Sequence, residues 1–161
     1  MPTPRIQAAL TADDFVKARA LIAEYSRELG VDLCFQDVAV ELANLSTMYG
    51  PPGGSLFLAS LDSHDIGCIG IRRVSDSTCE MKRLYIRPAH RGAGIGRLLA
   101  ESAIRMAETL GYRRIVLDTL PSMDTAIGLY RSMGFRETDP YYPNPLPGVI
   151  YMELKLGEHA S

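Results

Sequence analysis

The stretch RGAGIGRLLAESAIRMAETLG, residues 91–111, places three glycines within six residues directly before a helical pattern. Glycine destabilises a helix and adds no side chain to a core, so this cluster requires a physical reason. A helix N-terminus carries unpaired amide N–H groups, and the helix dipole favours negative charge there. Glycines let an anion approach those amides closely. We therefore expect a phosphate or pyrophosphate to bind here, with Arg91 and Arg97 adding positive charge. A tight turn from strand to helix without a ligand is the alternative.

Two well-known phosphate-binding motifs do not match this segment. The P-loop requires a Lys-Ser or Lys-Thr pair after its last glycine, and neither follows here. The dinucleotide-binding fingerprint has the spacing GxGxxG, whereas Gly92, Gly94 and Gly96 are each two residues apart. No parallel βαβ unit is expected before the segment either.

The composition indicates one domain, spanning residues 1–161. Apolar residues make up 47% and charged residues 22%, which is ordinary for a globular protein. The formal net charge of −2 gives no electrostatic reason to expect a nucleic-acid partner. Cys34, Cys68 and Cys79 lack CxxC spacing and are odd in number, which argues against a disulfide framework or a zinc site and favours a reducing compartment. Because neither a signal segment nor a membrane-length apolar run is evident, we expect a cytoplasmic protein without a membrane partner.

Hydrophobic periodicity and turn residues divide the chain into strands and helices. Strands are expected at residues 5–10, 55–61, 66–74, 78–87, 113–119, 135–138 and 148–156. Helices are expected from residue 11 to Gly30, at about 35–45, from the glycine segment to about 110, and at about 123–132. The short turns between residues 55 and 87 predict antiparallel hairpins. Together these elements predict a mixed α/β (α+β) fold.

The residues around the glycine segment carry a more specific pattern. CEMKRLYIRPAHRGAGIGRLLAESAIRMAETLGYRRIVLDT (79–119) and AIGLYRSMGF (126–135) closely resemble the GCN5-related N-acetyltransferase (GNAT) superfamily. The pattern Q/R-x-x-G-x-G/A of that superfamily is met by Arg91, Gly94 and Gly96. An Ile-Arg-Pro strand end at 86–88 precedes it, and a Leu-Tyr to Gly-Phe element at 129–135 follows it. The resemblance covers the chain well from about residue 55 and only loosely before that.

This resemblance implies a single-domain fold in which a central, mixed, mostly antiparallel sheet of about seven strands is flanked by about four helices. It also implies an acetyl-CoA-dependent N-acetyltransferase that moves an acetyl group directly to a primary amine, with no metal. Backbone amides of the loop would hold the pyrophosphate, here those of Arg91, Gly92, Ala93, Gly94, Ile95, Gly96 and Arg97. The preceding strand splays from its neighbour in the superfamily and pairs with the pantetheine arm, here at Leu84, Tyr85 and Ile86.

The resemblance also assigns chemistry to two side chains. Tyr130 matches the tyrosine that protonates the departing CoA thiolate, which leaves more easily when a neutral O–H is within reach. A core-facing aromatic is the alternative for Tyr130. Glu80 matches the glutamate that acts as general base in some members. A salt bridge or a substrate-orienting contact is the alternative for Glu80. In that case a chain of water molecules would remove the proton from the amine.

Strand alternation predicts the two faces of the strand that precedes the loop. One face is expected to carry Glu80, Lys82, Leu84 and Ile86, and the other Met81, Arg83 and Tyr85. Glu80 would then face an apolar cleft, which would raise the pKa of its carboxyl. Asp118 ends the next strand, where a buried turn cap is expected and a place in the site is the alternative. Cys79 faces away from Glu80 and is not expected to act as a nucleophile.

The stretch DPYYPNPLPGV (139–149) is the expected acceptor side of the site. The equivalent loop helps to form the acceptor pocket in the superfamily, so Tyr142 and Asn144 are expected substrate contacts. A plain hairpin connection is the alternative.

The cluster of Lys82, Arg83 and Arg87 favours a small-molecule amine that carries a carboxylate, such as an amino acid or a related metabolite. A protein or peptide N-acetyltransferase and a non-catalytic acyl-CoA-binding sensor are the alternatives. Dimers are common in the superfamily, and a homodimer contact through the terminal strand is compatible with the sequence.

Overall fold

The computed structural model describes residues 3–29, 38–144 and 146–157. Within these ranges the strands are β1 (Arg5–Ala8), β2 (Ser55–Leu61), β3 (His64–Arg73), β4 (Thr78–Ile86), β5 (Arg114–Thr119), β6 (Arg136–Glu137) and β7 (Ile150–Lys155). The helices are α1 (Ala12–Leu29), α2 (Val38–Ala43), α3 (Leu45–Met48), α4 (Ile95–Thr109) and α5 (Asp124–Ser132), and a 3-10 turn covers Pro88–His90.

The strands form one sheet in the order β1-β2-β3-β4-β5-β7-β6. Every neighbouring pair is antiparallel except β4 and β5, which run parallel. The predicted mixed, mostly antiparallel sheet of seven strands is therefore confirmed. The terminal strand β7 lies between β5 and β6, and the short β6 pairs with Met152 and Glu153 of its outer edge.

Two hydrophobic clusters cover the two faces of the sheet. On one face, α4 packs through Ala100, Ala103 and Ala107, whose small side chains let the helix approach the strands closely. On the other face, α1 packs through Leu21 and Ile22. Both helices contact β4, so this strand is held from both sides.

The predicted helix at about residues 35–45 is only partly described, because residues 30–37, including the expected stop at Gly30, lie outside the described ranges. The described part forms two short helices rather than one, since α2 ends at Ala43 and α3 begins at Leu45. Asn44 lies at the break, and its Nδ2 donates to the Val40 carbonyl at 2.8 Å. That carbonyl is the one a continuing helix would use, and side-chain competition of this kind ends helices.

A β-bulge interrupts β4 at Arg83. This residue has a φ of +62°, in the left-handed region. The register with β3 moves from Lys82 opposite Gly70 to Tyr85 opposite Cys68, so two residues of β4 lie against one residue of β3. Such an extra residue bends the strand and increases its local twist.

The bulge makes the predicted faces wrong beyond Lys82. Leu84 and Ile86 pack in the cluster beneath α4, whereas Tyr85 belongs to the cluster beneath α1. Arg83 lies on the α1 side as well, where it is buried against Glu41 of α2. Strict alternation fails here because one inserted residue exchanges the faces of all that follow.

The bulge is fixed by a buried ion pair, and its removal is the first testable prediction. Arg83 Nε and Nη2 donate to the two carboxylate oxygens of Glu41, each at 2.8 Å. Burial alone would raise the pKa of Glu41, but the hydrogen bonds and charge of Arg83 hold it below its ordinary value. Glu41→Ala leaves a buried guanidinium without its counter-ion, and we expect it to lower the free energy of unfolding by about 3–5 kcal/mol in urea titration.

The matched control for this variant is an exposed ion pair. Arg131 and Glu137 lie 3.8 Å apart with both side chains more than half exposed. Glu137→Ala should unfold close to wild type, since exposed pairs contribute little. Equal losses of stability in the two variants would contradict the structural role of the Glu41–Arg83 pair.

Candidate active site

The candidate site is an opening between β4 and β5. The two strands pair only along residues 78–80 and 114–116. Beyond Glu80, β4 remains paired with β3 alone and β5 with β7 alone. The resulting cleft is lined by Lys82 and Leu84 from β4, Asp118 from β5 and Tyr130 from α5. The separation that the resemblance implied is therefore present.

The glycine segment joins the end of β4 to the N-terminus of α4. Gly92 and Gly94 have φ values of +85° and +80°, and a Cβ on either would meet no atom within 4 Å. Only glycine adopts this conformation without strain, and both backbones are open to solvent. Gly94 is the N-cap of α4 and provides no side-chain cap, so the amides of the first turn are left for another acceptor.

Gly96 differs from the other two glycines. It lies in the first turn of α4, and a Cβ there would make ordinary contact with Leu129 at 3.6 Å. Its backbone therefore requires no left-handed conformation. The lack of a side chain at Gly96 leaves open space beside the amides of the first turn of α4.

The two arginines of the segment are bonded to the protein. Arg91 Nε donates to the Ile86 carbonyl at 2.8 Å, and its Nη2 lies 2.6 Å from Glu28. Arg97 Nη2 donates to Ser132 Oγ at 2.5 Å. The Arg91 guanidinium is thus paired with a carboxylate, whereas the exposed Arg97 guanidinium bonds to a neutral hydroxyl and keeps further N–H donors beside the backbone amides of the segment.

Tyr85, the central residue of the expected pantetheine strand, turns its side chain away from the opening. Its ring stacks on Tyr25 with the centroids 5.7 Å apart, and its hydroxyl donates to Glu28 at 3.0 Å. Burial, followed by the nearby carboxylates, raises the pKa of Tyr85 to about 12. Leu84 lines the opening, while the Ile86 carbonyl accepts the bond from Arg91.

Tyr130 is placed where the resemblance predicts chemistry. Its side chain is buried, packs on Phe135 with the ring centroids 5.7 Å apart, and lines the cleft. Burial raises the pKa of its phenol, and the charge of Asp118 raises it further. The hydroxyl therefore remains protonated at neutral pH. Among the described residues it has no hydrogen-bond partner, so its proton is available to a ligand.

Glu80 is placed differently from the expectation. Its carboxylate is almost fully buried and accepts from Arg72 Nε at 2.8 Å and from the Tyr141 hydroxyl. Lys82 Nζ lies 4.0 Å from it. The expected apolar surroundings are therefore wrong, because cations and a phenol enclose the group. The sequence pattern gives no indication that Tyr141, in the loop at 139–149, is its partner.

The loop between β6 and β7 is tied to β5 through Asp118. The Tyr142 hydroxyl donates to Asp118 Oδ2, and Asn144 Nδ2 donates to the same oxygen at 2.8 Å. Asp118 and Asn144 line the cleft, whereas Tyr142 lines a separate, more open pocket formed by the loop itself. Of the two expectations for Asp118, a turn cap or a place in the site, the structure shows that the residue lines the cleft.

The basic cluster is mostly neutralised. Arg83 is paired with Glu41, and Arg87 Nη2 lies 2.5 Å from Glu24. Lys82 is the member that lines the cleft. Burial lowers the pKa of Lys82, although the Glu80 carboxylate opposes that shift.

Other reactive side chains lie outside the opening. Cys79 is buried beneath α4, on the face opposite Glu80, and burial raises the pKa of its thiol to about 12. In the part of the chain that the structure describes, no group of three or more His, Cys, Asp or Glu residues is arranged to hold a metal ion. Of the helices in that same part, none is both long and apolar enough to cross a membrane.

Comparisons with known proteins agree with this geometry. The sequence model of the Acetyltransferase (GNAT) family matches residues 18–135. An uncharacterized N-acetyltransferase of Schizosaccharomyces pombe is 46% identical over 149 residues, covering 91% of this chain and 89% of the relative. N-acetylaspartate synthetase of Danio rerio is 33% identical over 135 residues, which cover 81% of this chain and 47% of the relative.

A solved structure shares the fold. The PaiA N-acetyltransferase of Thermoplasma acidophilum, in complex with coenzyme A, superposes with a TM-score of 0.71 at 17% identity, covering 95% of this chain and 99% of that one. The extent of the family match and the identity to the yeast relative are decisive. The chain belongs to the GNAT family of acetyltransferases and is an N-acetyltransferase.

Proposed function

We propose that this protein transfers the acetyl group of acetyl-CoA directly to the primary amine of a small molecule. The observation that carries the proposal is the position of Tyr130, a protonated phenol in the cleft between β4 and β5. The glycine segment with its unpaired amides follows directly from the end of β4. One ligand can therefore contact both features.

Acetyl-CoA is the cosubstrate that fits these two features. The amides of residues 91–97 would bind its pyrophosphate, because most of this segment is exposed and it leads into the positive end of α4. The pantetheine arm would lie along Leu84–Ile86, where β4 has no partner on the β5 side. The coenzyme A complex of the Thermoplasma acidophilum structure supports this choice.

The chemistry follows from a neutral acid beside the thioester sulfur. The amine nitrogen attacks the carbonyl carbon, the C–N bond forms, and the C–S bond breaks. The sulfur leaves with the electron pair and takes the proton of Tyr130 Oη. No residue needs to carry the acetyl group, which agrees with the buried, protonated thiol of Cys79.

In this proposal Glu80 does not act as the general base. Its two carboxylate oxygens accept from Arg72 and Tyr141, so it holds the loop between β6 and β7 against β4. To accept a proton from substrate it would have to release these donors. We therefore assign Glu80 to positioning the acceptor side, and proton removal to another group or to water.

A small-molecule acceptor is favoured over a peptide. The loop of Tyr142 and Asn144 is bonded to Asp118, which restricts the cleft on the acceptor side. One relative is named N-acetylaspartate synthetase, and aspartate is an amine that carries carboxylates. An amino acid or a related metabolite is the acceptor class that fits both observations.

Tyr130→Phe tests the role of the acid. Removal of the hydroxyl should lower kcat about 100-fold, within the range of a lost general acid, and leave the Kd for acetyl-CoA nearly unchanged. CoA release measures kcat, and calorimetry measures the Kd. Tyr112→Phe is the control, because it removes a hydroxyl that bonds to the Gly53 carbonyl outside the cleft. Wild-type kcat in Tyr130→Phe would remove the residue from the mechanism.

Gly94→Glu tests the cofactor site. The substitution adds bulk and negative charge at the N-terminus of α4, and we expect the Kd for acetyl-CoA to rise at least about tenfold. Gly111→Glu is the matched control, since Gly111 also has a positive φ (+87°) and open space around its Cβ but lies beyond the opposite end of α4. Similar affinities in the two variants would show that the pyrophosphate does not bind this segment.

A further inference from the structure

Lys82 is a buried cation whose charge is incompletely balanced. Its side chain is 8% exposed, and its ion-pair partner among the described residues is Glu80, at 4.0 Å. Glu80 Oε1, the oxygen nearest to Lys82, already accepts from Arg72 at 2.8 Å, and Oε2 accepts from Tyr141. The carboxylate of Glu80 is therefore distant from Lys82 and is already bonded to two closer donors.

The charges around Lys82 leave a positive excess. Arg72, Arg83 and Lys82 face the carboxylates of Glu80 and Glu41, so three cations share two anions. The two arginines each have a carboxylate at 2.8 Å. The uncompensated charge is thus that of Lys82, which lines the cleft. A buried cation without a close counter-ion is costly, and a ligand carboxylate would satisfy it.

Asp118 provides the opposite charge on the other side of the cleft. Its Oδ2 accepts from Tyr142 and from Asn144, both of which are neutral donors that leave the negative charge in place. Within the described residues no cationic side chain forms an ion pair with it. Its charge reaches Tyr130, whose pKa it helps to raise. An ammonium group bound at Asp118 would therefore lie near the proposed acid.

We propose that the acceptor is a small molecule carrying both an ammonium and a carboxylate group, with the ammonium bound by Asp118 and the carboxylate by Lys82. This inference rests on the proposed acetyl transfer and names the substrate class of the same site. Lys82 lies on β4 and Asp118 on β5, so the acceptor bridges the two strands across their separation. A simple alkylamine or a polyamine would leave Lys82 with the distant, shared Glu80 carboxylate as its counter-ion.

Asp118 also completes the proton balance. Its carboxylate accepts one proton from the substrate ammonium, which frees the nitrogen lone pair for attack on the thioester carbonyl. After the C–N bond forms and the C–S bond breaks, the nitrogen loses its second proton to water. Tyr130 gives its proton to the CoA sulfur and regains one from water. Asp118 then releases the proton that it accepted to water, so in the net reaction one proton ends on sulfur and one in solvent.

The experiment compares α-amino acids with their amides, which keep the amine and lose the carboxylate. CoA release should show a kcat/KM at least about tenfold higher for one or more amino acids than for the matching amides, the scale of a charged hydrogen bond. In Lys82→Met the preference should disappear through a higher KM for the amino acid, with the KM for acetyl-CoA unchanged. Lys155→Met, which removes an exposed lysine of β7, should behave as wild type.

Asp118→Asn tests the other end of the acceptor. The isosteric amide keeps the size of the side chain but neither attracts an ammonium nor accepts its proton. We expect kcat with the preferred amino acid to fall about 100-fold, with thermal unfolding close to wild type. Unchanged kcat in Asp118→Asn, or an unchanged amino acid KM in Lys82→Met, would overturn the inference.

A binding measurement separates this inference from the proposed transfer. Calorimetric titration of the amino acid into protein saturated with CoA should give binding in wild type and at least about tenfold weaker binding in Lys82→Met. Such binding without CoA release from acetyl-CoA would support the acceptor site and contradict the transfer. CoA release with alkylamines and amides at rates equal to those with amino acids would support the transfer and overturn the acceptor assignment.

Discussion

The early separation of β4 and β5 is the constraint on which the rest of the site depends. Only three residue pairs join the two parallel strands, and the bulge at Arg83 then redirects β4. Had the pairing continued to Ile86, the strands would have closed over the space that Tyr130 faces. The unpaired edge of β4 leads directly into the glycine segment and α4. The early end of the β4–β5 pairing thus creates the cleft and leaves the backbone groups of β4 exposed along it. It also places the N-terminus of α4 next to the same region.

Buried polar groups hold this separation open. Glu41 fixes the bulge through Arg83, and Glu80 joins Arg72 to Tyr141 of the distal loop. Buried ion pairs contribute little net stability compared with apolar packing, but loss of one partner is costly. The two buried carboxylates act here on geometry, because each of them fixes one element relative to β4. Among the described residues, Lys82 and Tyr130 face the cleft without a close structural bond of this kind, whereas Asp118 faces the cleft and also holds Tyr142 and Asn144. Our proposals for the acceptor depend on these three cleft groups.

Much of the fold could be predicted from sequence because it follows local patterns. Alternation, turn residues and the helical period located the strands and the helices α1, α4 and α5. The bulge could not be predicted, since Arg83 is neither glycine nor asparagine and its side chain pairs with Glu41, which is distant in sequence. The environment of Glu80 depends on Tyr141, 61 residues away, and such distant pairs leave no local signal. The anion-binding character of the glycine segment could be predicted because a left-handed backbone with unobstructed amides requires glycine.

The most direct test of this account is a crystal structure of the protein with CoA bound. The account predicts the pyrophosphate on the amides of residues 91–97, the pantetheine arm along the free edge of β4, and the sulfur within hydrogen-bond distance of Tyr130 Oη. A pyrophosphate bound elsewhere, or a sulfur atom out of reach of Tyr130, would contradict it. In either case the opening between β4 and β5 would have to be explained by a different ligand.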